Sequence, residues 1–213
     1  EVGLQSITDG EFRRSWWHLD FLWGLDGVEK HVMDTGVAFA AVTTRNEGVK
    51  VTGKIGSKHH PMIEHFKFVA AHTKKTPKIT IPAPSALWGR PMKTPIDEKV
   101  YPKLDAMFDD LCQAYKKAVR AFADAGCRYL QLDEVFIAML CDEKYRQQMT
   151  ARGDDPDRLG ELYGDLINTA MSDIPPDMTI TMHMCRGNYK STYMGAGGYE
   201  KVQEILFGKI KVH

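Results

Sequence analysis

Residues 102–134 restrict the fold of this 213-residue chain more than any other stretch. Leu104, Phe108, Leu111, Tyr115, Val119 and Phe122 recur at alternating steps of three and four. That is one apolar stripe on a 3.6-residue period, and it predicts a helix over residues 102–125. Gly126 stops it, as glycine does just past a helix. Cys127-Arg-Tyr-Leu-Gln-Leu-Asp-Glu134 follows at once, a strand ending in two acids. A long one-sided helix feeding directly into a strand is the unit of a parallel sheet, because parallel strands need a crossover of a dozen or more residues.

The rest of the chain repeats the unit. Ser6-Ile-Thr-Asp-Gly-Glu11 reads as a strand whose end carries Asp9 and Glu11. Residues 39–44 and 49–55 flank the turn signal Arg45-Asn-Glu-Gly48 and predict a hairpin. Pro61 opens a helix, and His59-His60 before it read as solvated loop. Lys78-Ile-Thr-Ile81 is a strand stopped by Pro82-Ala-Pro-Ser85, and residues 89–102 read as an exposed loop. Asp154-Asp-Pro156 starts a helix over 157–172. The Pro175-Pro176 turn leads into Met178-Thr-Ile-Thr-Met-His-Met-Cys185, an apolar β-branched strand. Residues 199–207 read as a helix and 209–213 as the start of another strand.

This alternation fits a doubly wound sheet or a (β/α)8 barrel. No G-x-G-x-x-G or Walker sequence follows a strand, which weakens the nucleotide-binding version. Polar residues gather where strands end: Glu11, Ser85, Asp133 with Glu134, and His183 with Cys185. A TIM barrel builds its site on that rim. The expectation is an α/β chain forming one domain over residues 1–213, with a hairpin insertion near 39–55. At most four complete strand–helix units fit, so the barrel is expected to be incomplete, its first and last strands missing. The opening Glu1-Val-Gly-Leu and the strand-like Ile210-Lys-Val-His213 suggest a piece of a longer polypeptide.

The 28 basic residues balance the 28 acidic ones, so nothing points to nucleic acid or a membrane surface as partner. No apolar run reaches membrane-spanning length, and no signal peptide is present. Cys112, Cys127, Cys141 and Cys185 lack a disulfide-framework spacing, which suggests reduced thiols and a cytoplasmic location.

His183 and Cys185 stand two apart, so a strand sends both side chains to one face. An imidazole beside a thiol suits a soft tetrahedral metal, zinc foremost. The plainer alternative is a buried cysteine and a histidine capping a strand. Glu11 and Asp133 could hold a substrate ammonium by charge-assisted hydrogen bonds. Alternatively, Glu11 pairs with Arg13 or Arg14, and Asp133-Glu134 serves as a helix cap and a surface acid. The aromatic run Trp16, Trp17, Phe21, Trp23 is either a helix docked on the core or a pocket wall beside Glu11. No G-x-S-x-G elbow is present.

Four motifs in order, Thr8-Asp-Gly-Glu-Phe-Arg-Arg14, Val51-Thr-Gly-Lys-Ile55, Tyr129-Leu-Gln-Leu-Asp-Glu134 and His183-Met-Cys-Arg-Gly-Asn188, resemble the catalytic barrel of cobalamin-independent methionine synthase. The likeness is closer to the short single-barrel bacterial members. It implies a TIM-type barrel and zinc-dependent transfer of a methyl group from 5-methyltetrahydrofolate to the thiol of homocysteine, giving methionine without cobalamin. By the same resemblance His183 and Cys185 are two zinc ligands. Glu11 and Asp133 hold the homocysteine amino group, and Ser85 and Trp88 belong to a substrate-binding loop, Trp88 stacking on the pterin. The family's zinc site also uses a Glu from the next strand and a later Cys. No cysteine follows Cys185, so the remaining ligands are expected beyond His213. Glu200 and Glu204 lie on a segment that reads as packing. The alternatives are a related thiol alkyltransferase with another donor or thiol, a metal-free decarboxylase-like barrel, and an inactive paralogue.

Overall fold

The computed structural model describes residues 3–39 and 41–213. In chain order the elements are β1 (Ser6–Ile7), α1 (Leu19–Trp23), β2 (Asp26–Val32), β3 (Glu47–Gly56), α2 (Met62–Ala71), β4 (Thr76–Pro82), α3 (Leu104–Asp124), β5 (Tyr129–Glu134), α4 (Phe136–Met139), α5 (Glu143–Ala151), α6 (Pro156–Ala170), β6 (Thr179–Met184), β7 (Asn188–Tyr189) and β8 (Thr192–Tyr193). Strands β1, β4, β5 and β6 form a parallel sheet in that order, with helices in every crossover. This is the expected α/β class. Among the described residues the four strands form an open sheet rather than a closed barrel.

Strand alternation gives the sheet two different faces. Ile79 and Ile81, Leu130 and Leu132, and Ile180 are buried under the helices. Phe108, Leu111, Tyr115, Val119 and Phe122 of α3 are buried as their spacing requires, while Leu104 at its first turn is exposed. Helix α6 starts at Pro156, where the Asp155 carboxylate accepts from the N–H groups of Asp157 and Arg158. The opposite face carries polar rows set by the parallel register. Thr80, Gln131 and Thr181 are neighbours, and so are Pro82, Asp133 and His183.

Several local expectations are corrected. Strand β1 spans two residues, and the chain then turns through Gly10 and Glu11, whose φ angles are 61° and 62°. Strand β3 pairs antiparallel with β2, and among the described residues near 39–44 a bridge joins Ala38 and Thr43 instead. The predicted helix around residues 12–23 contracts to α1. His60 is buried, not solvated: its ring stacks on Phe21 at 4.2 Å, and Nε2 lies 2.9 Å from the Phe21 carbonyl oxygen. The predicted exposed loop over 89–102 is anchored inside. Arg90, Thr94 and Tyr101 are buried, and the Tyr101 hydroxyl accepts from Ile55 N–H and donates to Asp110, each at 2.7 Å. Residues 204–209 form a wide helical turn, and Lys211 N–H is tied to Asn168 of α6, so 209–213 do not form a strand. His213 reaches β6, its N–H donating to Ile180 O at 2.8 Å and its ring Nδ1 accepting from Ile180 N–H at 3.3 Å.

Candidate functional site

A cavity of about 640 Å³ opens at the carboxyl ends of the parallel strands. Of the polar residues that the sequence places at strand ends, Glu11, Asp133, Glu134, His183 and Cys185 line it. Each arrives by a different local device. Glu11 comes from the left-handed turn after β1. Its Oε1 accepts from Thr80 Oγ1 at 2.6 Å and lies 3.3 Å from Arg14 Nη1. Arg14 is nearly enclosed and also donates to the Trp17 carbonyl at 3.2 Å. Burial lowers its pKa, and the surrounding carboxylates, Glu11 first, oppose the drop.

Asp133 reaches the cavity because it alternates with Leu132 and Glu134 on β5. Gln131, two residues earlier and on the same face, donates to Asp133 Oδ1 at 2.6 Å. Burial raises the Asp133 pKa; the Gln131 bond pulls it back, and the negative charge of Glu11 adds to the rise. Parallel register sets His183 beside Asp133, and Cys185 N–H donates to Glu134 O at 2.9 Å, so the thiol is carried one step past the strand end. His183 is exposed and Cys185 partly buried.

Two donors do not make a metal site. Among the described residues no three His, Cys, Asp or Glu side chains gather to hold an ion. His183 and Cys185 are thus not joined by Glu11 or Asp133 in a ligand set.

Glu134 faces the other way. It is 1% exposed, its Oε1 accepts from Ile137 N–H at 2.7 Å, and its Oε2 accepts from the Ser85 hydroxyl. It thus holds the first turn of α4, while the surface acid of the plainer sequence reading is not found: Glu134 is buried and Asp133 partly buried. Burial pushes the Glu134 pKa up to about 7 despite these hydrogen bonds. Ser85 lies outside the lining, and it donates to the Glu134 carboxylate, whose side chain is buried although the residue borders the cavity. Trp88 is also buried outside the lining, edge-on to Phe108 at 5.9 Å, with its carbonyl accepting from Arg152 at 3.0 Å. Gly89 lets this loop pass: a Cβ there would sit 2.4 Å from Phe136 Cγ.

The aromatic run divides between its two readings. Trp16 and Trp17 line the cavity, whereas Phe21 lies in the core. Trp16 Nε1 donates to Glu47 at 2.6 Å, and Arg45 lies over its ring. Phe39 and Tyr189, also in the lining, meet across the cavity with ring centres 5.5 Å apart. Sequence reasoning missed Gln131, His18 and Arg90. The last two are buried residues of the lining, with Arg90 Nη2 2.5 Å from His18 Nε2. An arginine between Gly89 and Pro91, directly after a strand and turn, was the available signal for Arg90.

No helix among the described residues is long and apolar enough to cross a membrane. No family model matches the chain. Two uncharacterized proteins of Bacillus subtilis (strain 168) are similar to it. YxjH is 45% identical over 207 residues and YxjG 46% over 209, each alignment covering 97% of this chain and 54% of the relative. The chain spans about half the length of these curated relatives. The crystal structure of the "Putative Vitamin-B12 Independent Methionine Synthase" from Listeria monocytogenes is 41% identical, with a TM-score of 0.73, and the match covers 100% of this chain and 55% of that one. A B12-independent methionine synthase from Shewanella sp. W3-18-1, solved with selenomethionine, shares the fold at 16% identity. Its TM-score is 0.60, over 89% of this chain and 49% of that one.

Proposed function

The chain is a relative of the cobalamin-independent methionine synthase family, and from that kinship we propose that the protein containing it is a thiol methyltransferase. The reaction is transfer of the methyl group of 5-methyltetrahydrofolate to the thiol of homocysteine, giving methionine. The observation that supports this most is the meeting of Glu11, Asp133, His183 and Cys185 in one cavity at the carboxyl rim of a parallel sheet. In the complete protein that sheet closes into a (β/α)8 TIM-type barrel.

The residues divide the work. Glu11 and Asp133 hold the substrate ammonium. Gln131 and Thr80 fix the two carboxylates through their 2.6 Å hydrogen bonds. A cation between them favours the ionised form of Asp133, against the burial that raises its pKa. His183 and Cys185 would be two of the ligands of a zinc ion, the others being expected from polypeptide beyond His213. Bound there, zinc supplies a thiolate at neutral pH. No cobalamin takes part, and the protein works in the cytoplasm, where its cysteines stay reduced. Trp16, Trp17 and Phe39, which line the cavity, offer the flat apolar wall for a pterin that Trp88 does not. Ser85 and Trp88 support the site from behind.

The test is methionine formation by the complete protein from homocysteine and methyltetrahydrofolate, with metal content measured alongside. Glu11→Gln and Asp133→Asn are each expected to lower kcat/KM for homocysteine roughly 10- to 100-fold, the size of a lost hydrogen bond to a charged group. Absence of both homocysteine binding and zinc in the complete protein refutes the reading. Homocysteine binding without turnover of methyltetrahydrofolate favours another methyl donor.

A further inference from the structure

The cavity face of the sheet carries a cation that the site as described does not use. On that face Lys78 and Tyr129 lie side by side, Thr80 and Gln131 form the next pair towards the rim, and Pro82 and Asp133 the one after. Gln131 and Asp133 line the cavity, whereas Lys78 lies below the lining. Its Nζ donates to Gln131 Oε1 at 2.7 Å and sits 4.6 Å from the centre of the Tyr129 ring. Gln131 Nε2 in turn donates to Asp133 Oδ1 at 2.6 Å. All three side chains are partly buried. A continuous run of hydrogen bonds therefore climbs from the floor of the cavity to the carboxylate at its rim.

Chemistry fixes the direction of this run. An ammonium has donors only and a carboxylate acceptors only, whereas an amide has one end of each kind. Lys78 claims the amide oxygen, so the NH2 end faces Asp133. Without a donor below it, the amide could turn over and set its oxygen against the site. Lys78 removes that alternative, because the turned amide would point N–H groups at an ammonium. A hydrogen bond to an ionised group is about twice as strong as a neutral one, and bonds in a chain polarise one another. The Tyr129 ring holds the lysine from the side as a cation–π partner. Glu11 has matching support from Thr80 and from Arg14. Each of the two carboxylates thus has its own cation, Arg14 directly beside Glu11 and Lys78 acting on Asp133 through Gln131.

We propose that Lys78 is a positioning residue of the cavity, which orients the Asp133 carboxylate through the Gln131 amide for the ammonium group of the substrate. It never touches the substrate itself. This rests on the reading of Glu11 and Asp133 as the ammonium receptor and deepens it.

The test is calorimetric binding of homocysteine and of 4-mercaptobutanoate, the same thiol acid without its amino group, to the complete protein. Lys78→Met, which keeps the apolar stem, should weaken homocysteine roughly 3- to 10-fold, the size of one hydrogen bond, and leave 4-mercaptobutanoate unchanged. Lys78→Arg keeps a donor for the amide oxygen and should restore most of the affinity. Gln131→Leu should lose at least as much as Lys78→Met, and adding Lys78→Met to it should change nothing further. If Lys78→Met binds homocysteine as wild type does, weakens both ligands alike, or adds its full loss to that of Gln131→Leu, the relay is refuted and the ammonium reading stands. If wild type binds homocysteine no better than 4-mercaptobutanoate, the ammonium reading falls, and urea unfolding judges the relay without ligand. Shifts of the urea midpoint from Lys78→Met and Asp133→Ala should fail to add when Gln131 is present and should add in Gln131→Leu. Shifts that add in both backgrounds refute the relay.

Discussion

Glu134 gives the sharpest stability test. Its carboxyl is buried and its pKa raised by burial to about 7 from an ordinary 4.5. Below about 4.5 both folded and unfolded chains carry the proton, and above about 7 neither does. Between them the folded chain keeps a proton the unfolded chain has released, so this group's contribution to stability falls as pH rises. At 1.36 kcal/mol per pKa unit the whole window amounts to about 3 kcal/mol. Glu134→Gln removes the titration while keeping the shape. The amide oxygen accepts from Ile137 N–H, and the Ser85 hydroxyl turns to accept from the amide nitrogen. Urea unfolding of both proteins from pH 4.5 to 8 should show Glu134→Gln gaining about 3 kcal/mol on wild type as pH rises, then levelling above pH 7. The difference between the proteins is the diagnostic quantity, because His60 runs the other way and flattens the wild-type curve. A difference that does not change with pH, or one of opposite sign, refutes a buried, raised carboxyl at this position.

His60, with its pKa lowered by burial to about 4, should cost the folded state stability as pH falls from 6.5 towards 4. His60→Phe, which keeps the stack on Phe21, should lose that dependence, about 3 kcal/mol across the window, when acid titrations followed by circular dichroism are compared. Leu132→Ala removes a fully buried side chain from the helix-facing side of β5. It should destabilise by about 2–5 kcal/mol in the same urea assay, and a loss below about 1 kcal/mol would mean that this face is not tightly packed.

The chain's order of strands and helices could be read from its residues wherever one side chain in two or one in 3.6 is apolar. Strands β4, β5 and β6 and helices α3 and α6 are of this kind. Glu11, Asp133, His183 and Cys185 could be read too, because acids, a thiol and an imidazole stand out at the ends of β-branched runs. What could not be read depends on distant partners. Strand β2 shows only Val28 buried, so its sequence Asp-Gly-Val-Glu-Lys-His-Val looks like a polar loop until β3 lies beside it. The Arg45-Asn-Glu-Gly48 turn signal then drew the hairpin to the wrong pair of segments. Arg90 sits in a stretch whose Pro, Lys and Gly content reads as solvent-exposed, and its burial follows from contacts that sequence spacing does not record. His18 is hidden among tryptophans, where an aromatic run reads as core. The direction of Glu134 was open in the sequence, and the strict alternation of β5 decides it.

That alternation has a consequence for how such a protein can change. The sheet acts as a partition. Leu130, Leu132 and Glu134 answer to the helices, while Gln131 and Asp133, their immediate neighbours in the chain, answer to the cavity. Positions 80, 131, 133 and 183 can therefore be varied together to change the shape and charge of the cavity, with the packed side left untouched. A single-residue insertion in β5 would do the reverse, exchanging the two sets and losing fold and chemistry at once. Substitution along such a strand reshapes the cavity, whereas insertions and deletions are confined to the loops beyond it.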